Sequence, residues 1–175
     1  MTTKTIQLIK PTHDQQGDSL EEVYRVSIQV WILRILLDLN GYRRVGVHLN
    51  IEAEELTKFL ELDTDSDEDP KDSFVPVRLA SRLRNLESNK YEVKGTFSAN
   101  VKSLSRALAL SPVEEGILEF LLLLDRGEEL GEVADLIGSV LTYGDLIESL
   151  AVILDIPKAE INDAIKPDAI LFTSG

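Results

Sequence analysis

The segment from Ser19 to Leu39 constrains the fold more than any other, because it is apolar on nearly every side. Ser19 and Glu22 have the spacing of a capping box, which satisfies amide groups that a helix start leaves without partners. Apolar residues recur there at helical spacing, and others widen the stripe nearly all round. They are Val23, Val26, Val30, Leu33 and Leu37, widened by Trp31, Ile32, Ile35 and Leu36. The sequence therefore predicts a long central helix that other elements bury.

The residues after this helix predict a turn and then a short strand. Asn40-Gly41 ends the helix, since Gly tolerates the left-handed conformation that is common at helix C-termini. The segment from Arg43 to Ile51 alternates apolar and polar residues, as a strand does. Residues 6–9 are a candidate partner for it in a small sheet, and helix stays an alternative for both segments. Residues 53–62 have the apolar spacing of a second helix.

An acidic segment divides the chain. Residues 63–73 are rich in Asp and contain no large apolar side chain, so they cannot bury enough surface to offset the entropy of ordering. We therefore predict three parts. They are an N-terminal helical subdomain over residues 1–62 with the long central helix, a flexible acidic linker over 63–73, and a C-terminal helical subdomain over 74–175.

The spacing of Asp63, Asp65 and Asp67 raises the hypothesis of a calcium loop, because alternate carboxylates can converge on a hard cation. The rest of the signature is absent. Glu68 stands where the loop needs Gly, and Phe74 stands where it needs a bidentate Glu. A solvated linker is the favoured interpretation, and we predict no metal site.

The first helix after the linker carries the candidate partner-binding residues. The segment from Val77 to Glu87 has leucines at helical spacing on one face, which we expect to point inward. Arg78, Arg82 and Arg84 are expected on the outer face, where they could contact a partner. The segment from Tyr91 to Phe97 is predicted as a brief strand or an extended loop.

Two helical hairpins are predicted from Ser98 onward. The first has a helix from Ala99 to Ala109, then a capping box of Ser111 and Glu114 with Pro at the first helical position, then a helix through Leu124. The second has a helix through Ile153 and a short helix through Ile165. Residues 108–112 are aligned with 153–157, and a linking helix is predicted over 130–137. The predicted fold class is mainly α, built of helical hairpins, with a minor β element near residues 43–51 left open.

The charge of the chain argues against nucleic-acid and membrane partners. The sequence has 31 acidic and 18 basic side chains, a formal net charge of -13, so phosphate backbones and anionic lipids should repel it. The helix after Pro112 has no Lys or Arg through Leu124, which argues against a DNA-recognition helix. Residues 71–106 alone are net positive. Intramolecular ion pairs are the favoured explanation, and a docking face for an acidic partner is the alternative.

The sequence offers no recognisable catalytic machinery. It has no Cys, its only histidines are His13 and His48, and neither has a second ligand at a metal-binding spacing. Phosphate-binding loops, dinucleotide fingerprints, nucleophile elbows and zinc helices are all missing. We therefore predict that the chain is not an enzyme and takes no cofactor. No secretory leader or membrane-length apolar run is visible, so the predicted localisation is cytoplasmic.

The block from residue 98 to 175 contains the runs LALSPVEEGILEF and LAVILDIPKAEINDAI, followed by KPDAILFTSG. This block resembles the helical region that precedes the ATPase core in a group of bacterial AAA+ ATPases. The resemblance implies a non-catalytic N-terminal domain that recognises partners or substrates and regulates a ring ATPase. Its partners would be proteins, including its own ATPase core, and a homo-oligomer stays open. We expect partners to bind in the grooves of the hairpins or on the face of Arg78, Arg82 and Arg84. The alternative is a free-standing acidic helical adaptor or oligomeric scaffold.

Overall fold

The structure is a computed structural model, and it describes residues 20–45, 53–62, 75–89, 95–138, 142–167 and 169–170. Over these ranges the regular structure is entirely helical, which confirms the mainly α prediction. The helices are α1 (Leu20–Asp38), α2 (Ala53–Leu60), α3 (Pro76–Ser88), α4 (Thr96–Leu108), α5 (Pro112–Leu124), α6 (Glu128–Asp135), α7 (Tyr143–Leu154) and α8 (Lys158–Ala164), with a 3-10 helix at Gly41–Arg44.

Helix α1 lies at the centre of the core, as its sequence predicts. It packs against α3, α6 and α7, and more lightly against α2. All four residues from Ser27 to Val30 are buried, and Ile32 and Leu33 are completely buried. Successive residues of a helix point about 100° apart, so four in a row cover its whole circumference. The middle of α1 therefore has no face toward solvent.

Polar side chains of α1 also join it to other helices. The hydroxyl of Tyr24 donates to Glu119 on α5 at 2.7 Å, and Arg34 donates to the carbonyl of Ile153 on α7 at 2.8 Å. Burial and the bond to Glu119 raise the pKa of Tyr24 above its ordinary value. These bonds satisfy polar groups that the covering helices would otherwise bury without partners.

Helices from both sides of the predicted linker share this core. Leu56 and Leu60 of α2, Leu79 of α3 and Ile153 of α7 belong to one continuous cluster of buried side chains. The two predicted subdomains are therefore packed together. The position of the division stays a prediction, and residues 63–73, with the hypothetical calcium ligands, lie outside the described residues.

The end of α1 differs from the prediction in one residue. Asn40, not Gly41, has the left-handed conformation, with φ of 58°, which Asn tolerates better than most residues. Gly41 is buried, and a Cβ there would lie 3.0 Å from the carbonyl oxygen of Ile35 and 3.3 Å from Cα of Leu36. Gly is therefore needed because backbone approaches it closely, and not for its φ.

The strand predicted to begin at Arg43 does not begin there, because Arg43 and Arg44 belong to the 3-10 helix. Alternation of apolar residues is a weak signal over so few positions, and the turn after α1 overrides it. Residues 46–52, and the candidate partner strand at 6–9, lie outside the described residues. The strand or loop predicted from Tyr91 to Phe97 does not extend to Phe97, since α4 begins at Thr96. Residues 91–94 lie outside the described residues.

Three helices end with the same backbone geometry. Glu61, Ala109 and Asp155 follow α2, α4 and α7 with φ of 54°, 56° and 56°. After each of them, the amide of the next residue donates to the carbonyl five residues earlier, which is the longer bond of a Schellman motif. The hairpins α4–α5 and α7–α8 therefore turn in the same way, as their sequence similarity predicts.

The two hairpins align one residue away from the predicted register. Asp155 is the structural equivalent of Ala109, since both are the left-handed residue. Pro157 is consequently the N-cap residue of α8, a position that Ser111 occupies before α5, whereas Pro112 is the first residue of α5. Helix starts accept Pro, which lacks the amide that these positions leave unbonded. The predicted capping box of Ser111 and Glu114 is confirmed.

We expect Gly41→Ala and Ala109→Gly to change stability in opposite directions. The new methyl of Gly41→Ala meets backbone that cannot yield easily, so the free energy of unfolding should fall by about 1–3 kcal/mol. Ala109→Gly relieves a left-handed conformation, and the free energy of unfolding should rise by about 0.5–1 kcal/mol. Urea denaturation measures both. A Gly41→Ala protein as stable as wild type would contradict the close approach after α1.

Candidate functional site

Arg82, one of the three predicted partner-binding arginines, is mostly occupied inside the protein. Its side chain is only 18% exposed. The guanidinium donates to the carbonyl of Leu60 at 2.8 Å and to the carboxylate of Glu61 at 2.6 Å. Arg82 therefore connects α3 to the end of α2. Its pair with Glu61 is one of the intramolecular ion pairs that the sequence predicts for the basic residues 71–106.

The other two predicted arginines differ from Arg82 and from each other. Arg84 is exposed and donates to the carbonyl of Ala80 within its own helix at 3.1 Å. Arg78 is half-buried. The three side chains consequently do not form one exposed face, and binding of a partner by them stays a prediction that Arg84 tests most cleanly.

A charged cleft lies where α1, α3 and the end of α7 meet. Arg34 donates to Glu87 at 2.8 Å and lies 3.6 Å from the carboxylate of Asp155. Asp38 lines the same cleft. Asp38 is exposed to solvent on one side, but desolvation by its neighbours raises its pKa. The charges of Glu87 and Asp155 raise this pKa further, against the attraction of Arg34. One guanidinium therefore faces three carboxylates, which is an electrostatic cost in the folded state.

We expect Asp38→Asn to be slightly more stable than the wild type at pH 7, by less than about 0.5 kcal/mol, because solvent screens an exposed carboxylate. A carboxyl group whose pKa is raised by folding favours the folded state when protonated, so its contribution to stability is lost as pH rises through that raised pKa. The difference between the two proteins should shrink in urea titrations as pH falls below the ordinary Asp pKa of about 3.9, because the wild-type carboxyl then becomes protonated in both the folded and the unfolded state. Asp125→Asn, at the end of α5, is the control for the change in net charge. An Asp38→Asn protein less stable than wild type at pH 7 would contradict the account.

An apolar groove lies between α5, α6 and α7, and we call it the α5–α6–α7 groove. Its volume is about 520 Å³. Phe120, Leu150 and Ile153 form a buried floor, whereas Leu121 and Leu146 are 48% and 37% exposed. Exposed apolar side chains that lie together mark binding surfaces more often than single exposed apolar residues do.

The wall of the groove along α6 consists of small residues. Gly127, the N-cap residue of α6, lines it together with Gly131 and Ala134, at spacings of four and three residues that follow one side of the helix. A Cβ built on Gly131 would lie 3.7 Å from the nearest atom, the carbonyl oxygen of Leu124. A side chain at position 131 therefore fits the backbone but extends into the space of the groove.

Acidic side chains accompany this wall. Glu128, Glu132 and Asp135 line the groove from α6, and none of its described lining residues is Lys or Arg. Glu128 and Asp135 are exposed. The groove therefore combines an apolar floor with negative charge from one helix.

The grooves of the hairpins were one of the two surfaces predicted to bind partners, but the predicted binding residues were those of α3 alone. The position of this groove, between α5, α6 and α7, was not predicted from the sequence. The sequence signal was Gly131 of the linking helix, because a Gly inside a helix costs about 0.5–1 kcal/mol and nothing in the helix itself requires it.

Metal-binding and membrane-spanning features are absent from the described part of the chain. No group of three or more His, Cys, Asp or Glu there could hold a metal ion. None of the described helices has both the length and the apolar character needed to cross a membrane. His13 and His48 lie outside the described residues. No protein-family model, curated protein or solved structure matches the chain.

We expect Gly131→Leu to fill the groove without unfolding the protein. Leu is a better helix former than Gly, so the free energy of unfolding should rise by about 0.5–1 kcal/mol. Gly116→Leu on α5 is the matched control, since a Cβ there has no atom within 4 Å and Gly116 does not line the groove. Urea denaturation should give the two variants similar gains. Destabilisation by Gly131→Leu alone would mean that the space at position 131 is closed.

Proposed function

We propose that the chain is a non-catalytic partner-recognition domain that binds a helical segment of another protein in the α5–α6–α7 groove. The observation that carries the proposal is the groove itself, with exposed Leu121 and Leu146 above a buried floor. Helix-in-groove binding needs an apolar trough that accepts side chains from one face of a helix. A volume of about 520 Å³ suits two or three such side chains.

The arrangement of polar groups supports a protein ligand over a small molecule. Small-molecule sites usually direct a few polar groups into the interior of a cavity. In this groove Ser149 is the one buried polar side chain among the described lining residues, and the carboxylates of Glu128 and Asp135 are exposed. An apolar centre with polar groups at its edge is typical of protein–protein interfaces.

The wider role that we propose is recognition and regulation on the N-terminal side of a AAA+ ATPase. It rests on the resemblance of residues 98–175, which include all three groove helices. A free-standing acidic adaptor would use the groove in the same way and is the second candidate. Reading the coding sequence past the codon for Gly175 separates them: a phosphate-binding loop followed by an acidic Walker B strand supports the ATPase, and a stop codon removes it.

We expect random-peptide selection on the wild-type chain to enrich helical sequences with apolar residues at positions i, i+3 or i+4, and i+7. The enriched peptides should bind the Gly116→Leu protein as well as they bind wild type. Binding to the Gly131→Leu protein should fall at least about tenfold, because the new side chain occupies the site. Fluorescence anisotropy measures each affinity.

Two results would contradict the proposal. Enriched peptides without helical apolar spacing would argue against helix-in-groove binding. Peptides that bind Gly131→Leu as tightly as wild type would locate the binding surface elsewhere on the chain.

A further inference from the structure

We infer that the occupant of the α5–α6–α7 groove is a basic amphipathic helix of a protein partner, with two apolar side chains about one turn apart between Lys or Arg residues. This inference rests on the proposed function and adds the charge of the ligand to it. Three features of the groove support this inference: its charge, the length of its acidic stripe and its small residues.

The first feature is the charge of the groove. The carboxylates that line it come from Glu128, Glu132 and Asp135, which follow one side of α6 at spacings of four and three residues. Arg126, just before this helix, is exposed but does not line the groove. A ligand therefore meets negative charge along α6, and Lys or Arg on the ligand lowers the electrostatic energy of the complex.

The second feature is the length of this acidic stripe. From Glu128 to Asp135 the backbone of α6 rises seven residues, about 10 Å or two helical turns. If a ligand helix lies alongside α6, about two of its turns lie next to this acidic stripe. Basic residues spaced by one or two turns can then each approach a carboxylate, while the apolar side chains between them enter the groove.

The third feature is the small-residue wall. Gly127, Gly131 and Ala134 line the groove without bulky side chains, next to the row of carboxylates on α6. A second helix can consequently approach the α6 backbone more closely than across leucine-sized residues. Close approach shortens the distance between its basic side chains and the carboxylates of α6 and so strengthens their attraction.

The test uses two synthetic, lactam-bridged helices of about four turns as probes, with identical Leu positions at i and i+4. One probe carries Lys at the flanking positions and the other carries Glu. The Lys helix should bind the wild-type chain at least about tenfold more tightly than the Glu helix in fluorescence anisotropy. Added salt should weaken binding of the Lys helix, since salt screens charges that are exposed.

Two double variants with the same change in net charge test whether the carboxylates of the groove cause the preference for the Lys helix. Glu128→Gln with Asp135→Asn removes carboxylates at the groove and should weaken binding of the Lys helix about fivefold. Glu55→Gln with Glu160→Gln removes two exposed carboxylates from α2 and α8 and should leave binding unchanged. Equal weakening in both variants would overturn the inference, because the attraction would then come from overall charge.

The remaining outcomes distinguish this inference from the proposed function. If both helices bind equally and Gly131→Leu abolishes both, the groove stands and the basic ligand is overturned. If neither helix binds, or if Gly131→Leu leaves binding unchanged, both proposals fail. Self-association that the groove double variant abolishes, measured by sedimentation, would replace the partner by a second copy of this chain.

Discussion

Helix α1 has apolar side chains on nearly every side, so the folded chain depends on surrounding it completely. Helices α3, α6 and α7 supply most of the cover, and Trp31 meets the ring of Phe120 on α5 edge to face. These helices must also provide hydrogen-bond partners for the polar groups that they bury. Tyr24 bonds to Glu119 and Arg34 to the carbonyl of Ile153, so burial of apolar surface does not leave these donors unbonded.

The groove results from the packing of the helices around α1. Phe120, Leu150 and Ile153 belong to the core and also form the groove floor, so the floor is held by the same packing that buries α1. The small residues of α6 leave space between the helices that cover α1, and this space is part of the groove. A binding surface with a rigid floor loses little conformational entropy when it is occupied, which favours recognition of a helical partner.

Much of the secondary structure could be predicted from local signals. The capping box at Ser111, the leucine spacing of α3 and the apolar run of α1 each depend on residues close to one another along the chain. The strand start predicted at Arg43 was wrong because alternation over a few residues competes with the turn that Asn40 and Gly41 form. Arg82 was expected on an outer face, yet the end of α2 covers it.

The amino-acid sequence by itself determined the helical class, the central position of α1 and the shared turn of the two hairpins. These properties follow from hydrophobic spacing and from backbone preferences of neighbouring residues. Only the tertiary structure decided that Gly131 lines a groove and that Arg82 contacts the end of α2. Both depend on residues distant along the chain, such as Leu60 and Ile153, whose approach is set by packing around α1 and not by local sequence.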